Sequence, residues 1–504
     1  MMSSMFIGAT GMKAFGEGMG VVGNNLSNVN TIGFKQSMAL YQDLVSSFVT
    51  ADSNNITNIS QKGMGSAISM DRTLFTQGAF QPGSANTDVA IQGKGFFGVS
   101  KDGKTEYTRA GNFRFTMEGE LVDPSGWTVL GRTIDKNGNE AGSASPITLD
   151  FSNSTGGIGY TPGQASSWVQ SVSQLGGLQD KAQQAGNPFF AMAASWNGTS
   201  NPPLGVGQFS YSEPIEFYDA AGNRQKATIY YDRADTVDGM NIVEYMIAMD
   251  PALDGSSRAG TESAGLLMAG TITFDSGGTM QGLSAFTPPA GGSPADLAAW
   301  LPAGVKNGMP EFSANVKDAG EQRVGLDFGL RLPGNASQGL ASAADAATNA
   351  SKLATPINGA TRQQMVTTAW GNSPASRSQN TDGFGEGYLR DVTIGEDGMV
   401  KGVYSNNQTL ELARLVLYRF TSQDGLRKEG GNHFAATEDS GEAQEGIPGK
   451  ENYGTLAQRS IEQSNVDYAR EFTQMIITQR GFQMNSKIVT TSDQMIQKAL
   501  ELKR

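Results

Sequence analysis

Both ends of this chain are written in sevens, and that repeat constrains what the residues between them can do. In the first thirty residues Met5, Met12, Met19 and Leu26 stand seven apart, with Gly8, Phe15, Val22 and Val29 as a companion row three positions on. At the other end Tyr468, Met475, Phe482, Val489 and Ile496 repeat the interval on a segment without proline that runs to Leu500. An α-helix turns every 3.6 residues, so a seven-residue repeat draws a narrow apolar seam that is buried only against another helix. Pairing helices at both ends point to a subunit built to assemble.

The two ends differ in strength. Gly8, Gly11, Gly16, Gly18, Gly20 and Gly23 together cost an N-terminal helix about 6 kcal/mol relative to alanine, so this segment is expected to be disordered alone and helical among neighbours. Ser464 reads as the N-cap of the C-terminal helix, with Asp467 three residues on as an approximate capping box. Its second row, Phe472, Gln479, Ser486 and Asp493, is mostly polar, which suits a helix with some dry neighbours and some hydrogen-bonded ones.

Among 504 residues, 65 are glycine and only 17% are charged, which favours turn-rich β structure in three or four domains. The absence of cysteine excludes disulfides, a cysteine-zinc site and a thiol nucleophile. The one histidine, His433, cannot form a multi-histidine metal site and reads as a structural or surface residue. A net charge of −12 argues against a nucleic-acid partner. Residues 1–50 and 453–504 together sum to +2, which leaves −14 for the middle, so near-neutral ends can pack on copies of themselves while an acidic middle keeps neighbours soluble. No membrane span is expected, and the N-terminus lacks the basic region and continuous apolar core of a cleavable secretory signal.

Short apolar runs alternate with turn dipeptides between residues 68 and 132 and again between about 384 and 447, where Leu412–Phe420 reads as one strong strand. Central strands are expected at Ile215–Tyr218, Ala227–Tyr231 and Thr271–Phe274. The Gly-, Ser-, Ala- and Pro-rich stretches 153–210, 285–310 and 335–380 fit either long loops or an added subdomain. Gly93-Lys94-Gly95-Phe96-Phe97-Gly98 matches a dinucleotide fingerprint, but a turn at Asp102-Gly103 stands where the required helix should be. Asp135-Lys136-Asn137-Gly138 lacks the spacing of a calcium loop and reads as a surface turn. No carboxylate pair has a spacing that selects an acid and a base, so no catalytic, metal or cofactor site is expected and the chain is not read as an enzyme.

The segment Asn24-Asn25-Leu26-Ser27-Asn28-Val29-Asn30-Thr31-Ile32-Gly33-Phe34-Lys35 resembles the signature of the bacterial flagellar axial family, which builds rod and hook. Residues 86–99 (NTDVAIQGKGFFGV) and 107–131 resemble the next family blocks. Residues 460–472, with Ser464, Asn465, Val466 and Asp467, followed by Gln479 and Arg480, resemble the C-terminal block. The chain's length and its EFYDAAGN at 216–223 are similar to the hook members. The resemblance implies a mainly β, multidomain fold whose discontinuous β domains nest between N- and C-terminal helices paired as an inner coiled-coil layer. The packing residues would be Met5, Met12, Phe15, Met19, Val22, Leu26, Tyr468, Phe472, Met475, Phe482, Val489, Ile496 and Leu500.

On this basis the chain divides into an N-terminal helix at 1–30, a connecting segment with a long loop at 31–75 and the first part of an inner β domain at 76–148. Outer β structure follows at 149–365, then the rest of the inner domain at 366–447, a connector at 448–463 and the C-terminal helix at 464–504. The implied function is that of a structural subunit polymerising into a hollow, curved tube, a universal joint carrying torque from rod to filament. Implied partners are copies of itself, the distal rod protein, the hook cap, the hook–filament junction proteins and the flagellar type III export apparatus. The implied location is extracellular, reached without a cleaved signal. A distal rod subunit and a surface adhesin or enzyme with an assembly tail are the alternatives.

Overall fold

The computed structural model describes residues 2–45, 47–53, 56–135, 138–152, 157–183, 186–334 and 336–501. It is mainly β, framed by a helix at each end, Met2–Ser27 and Tyr468–Glu501. The chain forms two compact units, one discontinuous (Met1–Tyr160 with Leu389–Arg504) and one continuous (Thr161–Tyr388). Among the described residues no helix is long and apolar enough to cross a membrane.

In the discontinuous unit the two helices lie antiparallel, and the glycines decide how. The buried positions of the N-terminal helix are Gly8, Gly11, Ala14, Gly18, Val22 and Asn25. Opposite them the C-terminal helix buries Glu471, Thr478 and Ser492, with Met475, Asn485, Val489 and Ile496 half-buried on the same face. A Cβ on Gly8 would lie 2.9 Å from the Val489 side chain, and one on Gly11 would lie 2.5 Å from the Asn485 carboxamide. At these two positions the partner side chains stand where a Cβ would go, so a larger residue fits only if they shift. That close approach is why the segment expected to be disordered alone is helical in the single chain: contacts with its own C-terminal helix offset the helical cost of glycine.

Within the single chain the two seams divide as follows. The methionine row is not the inner face, since Met5 is 38% exposed and Met12, Met19 and Leu26 are only half-buried, while its companions Phe15 and Val22 face the partner helix. On the C-terminal helix the second inward-facing row is Glu471, Thr478, Asn485 and Ser492. Phe472 (47% exposed), Gln479 and Asp493 face away, as do Tyr468 and Leu500. A heptad leaves open which of two flanking rows meets the partner, and glycine opposite admits only the small polar one. The helix also starts later than Ser464 implied. Asp467 is its N-cap, accepting from Ala469 N at 2.9 Å and Arg470 N at 3.0 Å, whereas Ser464 Oγ accepts from Val466 N within the preceding turn.

The β part of this unit is one large, mostly antiparallel sheet in which strands from before residue 160 and after residue 386 interleave. Thr128–Thr133 pairs with both Phe96–Lys101 and Thr409–Leu415. Leu412–Phe420 is not one strand: the chain changes partners at the buried Val416, and Leu417–Arg419 pairs instead with Gln444–Gly446 and Phe96–Lys101. Phe97, Phe113, Val129, Ile394 and Leu415 fill one core beneath the sheet. The supposed connectors carry strands too. Ser37–Asp43 pairs with Ser66–Thr73, and Ser47–Ser53 with Ile56–Lys62, where a long loop was expected. Thr455–Gln458 pairs with Val89–Gln92, and Ser460–Glu462 with Phe80–Pro82. The turn at Asp135 closes through Gly138 N; Lys136 and Asn137 lie outside the described residues. Phe96–Lys101 continues the GxGxxG loop as a strand, so no helix meets that loop.

In the continuous unit a six-stranded antiparallel meander runs from Tyr211–Tyr218 to Leu301–Pro302 and is buried on both faces. Alternation assigns the faces: Val243, Tyr245 and Ile247 join one core with Phe312 and Phe328, while Ile242 and Met246 join another with Phe190, Trp196 and Trp300. Much of the loose stretch 153–210 is thus folded against the sheet. Ala375–Thr381 pairs with Trp168–Gln174 in this unit's second sheet, so the return to the discontinuous unit comes at Leu389, later than the expected 366.

The glycine seam predicts opposite effects of one substitution. Nothing lies within 4 Å of a Cβ on Gly20 or Gly23, so alanine at each should stabilise the N-terminal helix by about 1 kcal/mol. Gly11→Ala should instead loosen it, as read by amide hydrogen exchange over residues 2–27.

Candidate functional site: the clasp between the two termini

The residues that resemble the family signature converge where the N-terminal segment leaves its helix and the C-terminal segment enters its own. After Ser27 the chain turns on Asn28, whose Nδ2 donates to the Asn24 carbonyl at 2.9 Å, and Thr31 N returns to Asn28 O. Gly33 then takes φ +70°, its N–H donating to the Glu462 carbonyl at 2.8 Å; a Cβ there would lie 2.6 Å from Ala110 N. Only glycine combines that dihedral with that approach.

Three polar side chains, Asn25 and Lys35 buried and Asn465 half-buried, then tie the segments together. Asn25, 1% exposed, accepts from Ser37 N at 2.9 Å, donates to Ser37 O at 2.7 Å and reaches Glu471 Oε2 at 3.2 Å. It acts as a one-residue β partner placed on a helix. Asn465 does the reverse from the C-terminal side, accepting from Gln36 N at 2.8 Å and donating to Leu74 O and Thr76 O. Lys35 has no exposed side-chain surface. Its Nζ donates to Glu462 Oε1 at 2.6 Å and to Thr76 O at 2.8 Å, while Gly78 N donates to the same carboxylate oxygen.

Arg109 completes the network from the β sheet. Its Nε lies 3.4 Å from Glu462 Oε2, and its Nη atoms donate to the carbonyls of Gly93 and Gly95. Burial pulls the Lys35 ammonium below its ordinary range; Glu462 opposes this, and the Arg109 guanidinium adds to it. Two cations on one carboxylate, all out of water, form a site that tolerates no missing member.

Of the expected motif residues, Asn25, Asn28, Gly33, Phe34, Ser464, Asn465 and Val466 meet in this clasp or its turns. Asn24 is exposed and serves Asn28, Asp467 caps the helix, and Gln479 and Arg480 are exposed on the C-terminal helix beyond it. Lys35, Arg109, Glu462 and Glu471 were not singled out. The available signal was lone charges embedded in otherwise polar or apolar blocks. Among the described residues no group of three or more His, Asp and Glu side chains is arranged to hold a metal ion.

Removing one partner from a buried ion pair costs roughly 3–5 kcal/mol, because the remaining charge is left without compensation. Glu462→Gln should therefore lower the denaturant midpoint of the discontinuous unit sharply. Adding Lys35→Met to that variant should restore much of the loss; an additive double variant would contradict the network.

Three family models match the chain. "Flagellar hook protein FlgE/F/G D1 domain" covers residues 90–158, "Flagellar basal body protein FlaE D2 domain" covers 191–384, and "Flagellar basal body rod FlgEFG protein C-terminal" covers 457–502. The flagellar hook protein FlgE of Treponema pallidum is 30% identical over 524 residues, covering 100% of both chains. Those of Borreliella burgdorferi and Salmonella typhimurium are 28% and 25% identical, covering 100% and 98% of each chain. A solved Helicobacter pylori hook protein, FlgE2, aligns over 76% of this chain at 15% identity and a TM-score of 0.42, too loose a likeness to carry weight. End-to-end similarity at that level, across both units and both helices, means that this chain belongs to the flagellar hook protein family.

Proposed function

We propose that this chain is the building subunit of a flagellar hook, and that copies of it polymerise helically through their terminal helices into a hollow, curved tube. The observation that carries this reading is the surface of the C-terminal helix. One stripe is used by the N-terminal helix of the same chain, yet Phe472, Ile476, Ile477, Met484, Ile488 and Met495 remain 39–66% exposed on other faces. Ile477 and Met484 stand seven apart, as do Ile488 and Met495, and a four-residue step joins the two pairs. A helix with a second heptad seam in water is incomplete until another helix covers it. Met5, Met12, Met19 and Leu26, left at least partly open on the N-terminal helix, supply a matching surface.

In this reading the inner helices make the permanent contacts of the tube. The acidic, polar β units outside them make wetter contacts that exchange as the joint bends. The chain acts by carrying torque, without catalysis. Its partners at the two ends of the tube would be the distal rod protein on one side and the hook cap and hook–filament junction proteins on the other. Export would run through the flagellar type III apparatus, unfolded and without a cleaved signal, to the outside of the cell. The end-to-end similarity to relatives named as hook proteins favours a hook over a distal rod subunit.

The reading separates two classes of substitution. Met484→Asp and Met495→Asp, on the open stripe, should leave unfolding unchanged while abolishing tube formation under the electron microscope. Val489→Asp, against Gly8, should damage the helix pair itself as well. Normal tubes from the Met484→Asp and Met495→Asp variants would overturn the assignment of that stripe.

A further inference from the structure

The chain's single histidine is neither on the surface nor a passive core residue. His433, 4% exposed, opens the strand His433–Ala435, which pairs with Lys104–Thr108 on one side and Arg427–Gly430 on the other. That hairpin grips the segment carrying the N-terminal half of the clasp. Asn432 Nδ2 donates to Ile32 O at 2.8 Å, and Lys428 Nζ donates to Ser37 Oγ at 2.6 Å and stands 5.7 Å from the centre of the Phe34 ring.

Both ring nitrogens of His433 face carboxylates. Nδ1 lies 3.1 Å from Glu106 Oε2 and Nε2 lies 2.6 Å from Asp123 Oδ2, with the Trp127 ring edge-on at 5.1 Å. A neutral imidazole carries one N–H, so it can serve only one of these oxygens and must turn a lone pair toward the other. Only the imidazolium satisfies both. The other charges around the site do not replace it. Lys104 and Glu106 come from one neighbouring strand, and Arg427 and Glu429 from the other. Lys104 Nζ bridges Glu106 Oε1 at 2.5 Å and Glu429 Oε2 at 3.5 Å, and Arg427 pairs with Glu429 at 2.5 Å. Asp123, whose Oδ1 accepts from Ser125 N and Trp127 N, has His433 as its one cationic partner among the described residues.

We propose that His433 is a proton-operated lock: protonated, it bridges Glu106 and Asp123 and holds the 427–435 hairpin against the N-terminal segment; deprotonated, it lets that hairpin loosen. The lock belongs to the single chain, whether assembled or not. Burial alone would pull the imidazolium's pKa down, but hydrogen bonding and charge from Asp123 and then Glu106 outweigh it and raise it above the ordinary 6.5. A raised folded-state value fixes the sign. The stabilisation is complete below the unfolded value of about 6.5 and is lost as pH rises through the folded value. Mild alkali should therefore open the hairpin, and acid down to the carboxylate range should not.

With one histidine in the chain, a full-length sample carrying 13C-labelled histidine gives one titrating ring signal. Its midpoint should lie above 6.5, and amide protection in residues 427–435 and 32–37, corrected for intrinsic exchange, should fall by up to about tenfold per pH unit between 6.5 and that midpoint. In His433→Gln the same protection should be lower and flat across this range. A midpoint at or below 6.5 overturns the proposal without need of the variant. So does a folded His433→Gln protein with the same pH dependence as the wild type.

Discussion

The contact on which the rest of this molecule depends is the buried ion pair between Lys35 and Glu462, residues 427 apart in the chain, with Arg109 as its third member. It brings the exit of the first helix and the entry of the last to one point on the β sheet. Once they are there, Asn25 and Asn465 both fix the backbone of the N-terminal segment, one from its own helix and one from the C-terminal side, and both helices leave the same place side by side. A hydrophobic contact at this position would bury surface equally well, but it would not set the angle of departure. Polar groups with no alternative partners do set it, at a cost in stability that the surrounding cores must offset.

The helix pair follows the same logic. A seam of leucines would make a stronger two-helix coil, yet it would hold the chains further apart and use up the apolar surface within one subunit. Glycine at positions 8, 11 and 18 against Asn485 and Thr478 gives a close, thin contact instead. The large residues are displaced to the outside, where Phe472, Ile477, Met484 and Ile488 stand in the open. A subunit that satisfies its polar groups internally and leaves its apolar groups unsatisfied has its next contacts specified before they form.

The sequence showed this architecture unevenly, for physical reasons. The terminal helices and the β middle were legible because the seven-residue repeat and the turn dipeptides are local signals. Which row faces inward was not, because that depends on glycines in the partner segment hundreds of residues away. The strands at 455–462 escaped notice because they are short and paired at a distance, those at 37–73 because they are largely polar, and the return at Leu389 escaped because Ala375–Thr381 is an exposed edge strand with little apolar pattern. In the clasp, Asn25, Gly33 and Asn465 stood out by resemblance, while Lys35, Glu462 and Arg109 look in sequence like ordinary surface charges. His433 could be read only as structural or surface, because a histidine's surroundings are set by the carboxylates that fold around it, here Glu106 from a neighbouring strand and Asp123 from the turn after Leu121–Val122.

The central claim is that each subunit closes its polar clasp alone and completes its apolar helix surface with other copies. A high-resolution electron cryomicroscopy map of tubes assembled from this chain tests it most directly. The account predicts that Lys35, Glu462 and Arg109 remain joined within each subunit while Ile477, Met484, Ile488 and Met495 are buried against helices of neighbouring copies. Tubes in which that stripe faces solvent, or in which the clasp has opened to pair between subunits, would contradict it.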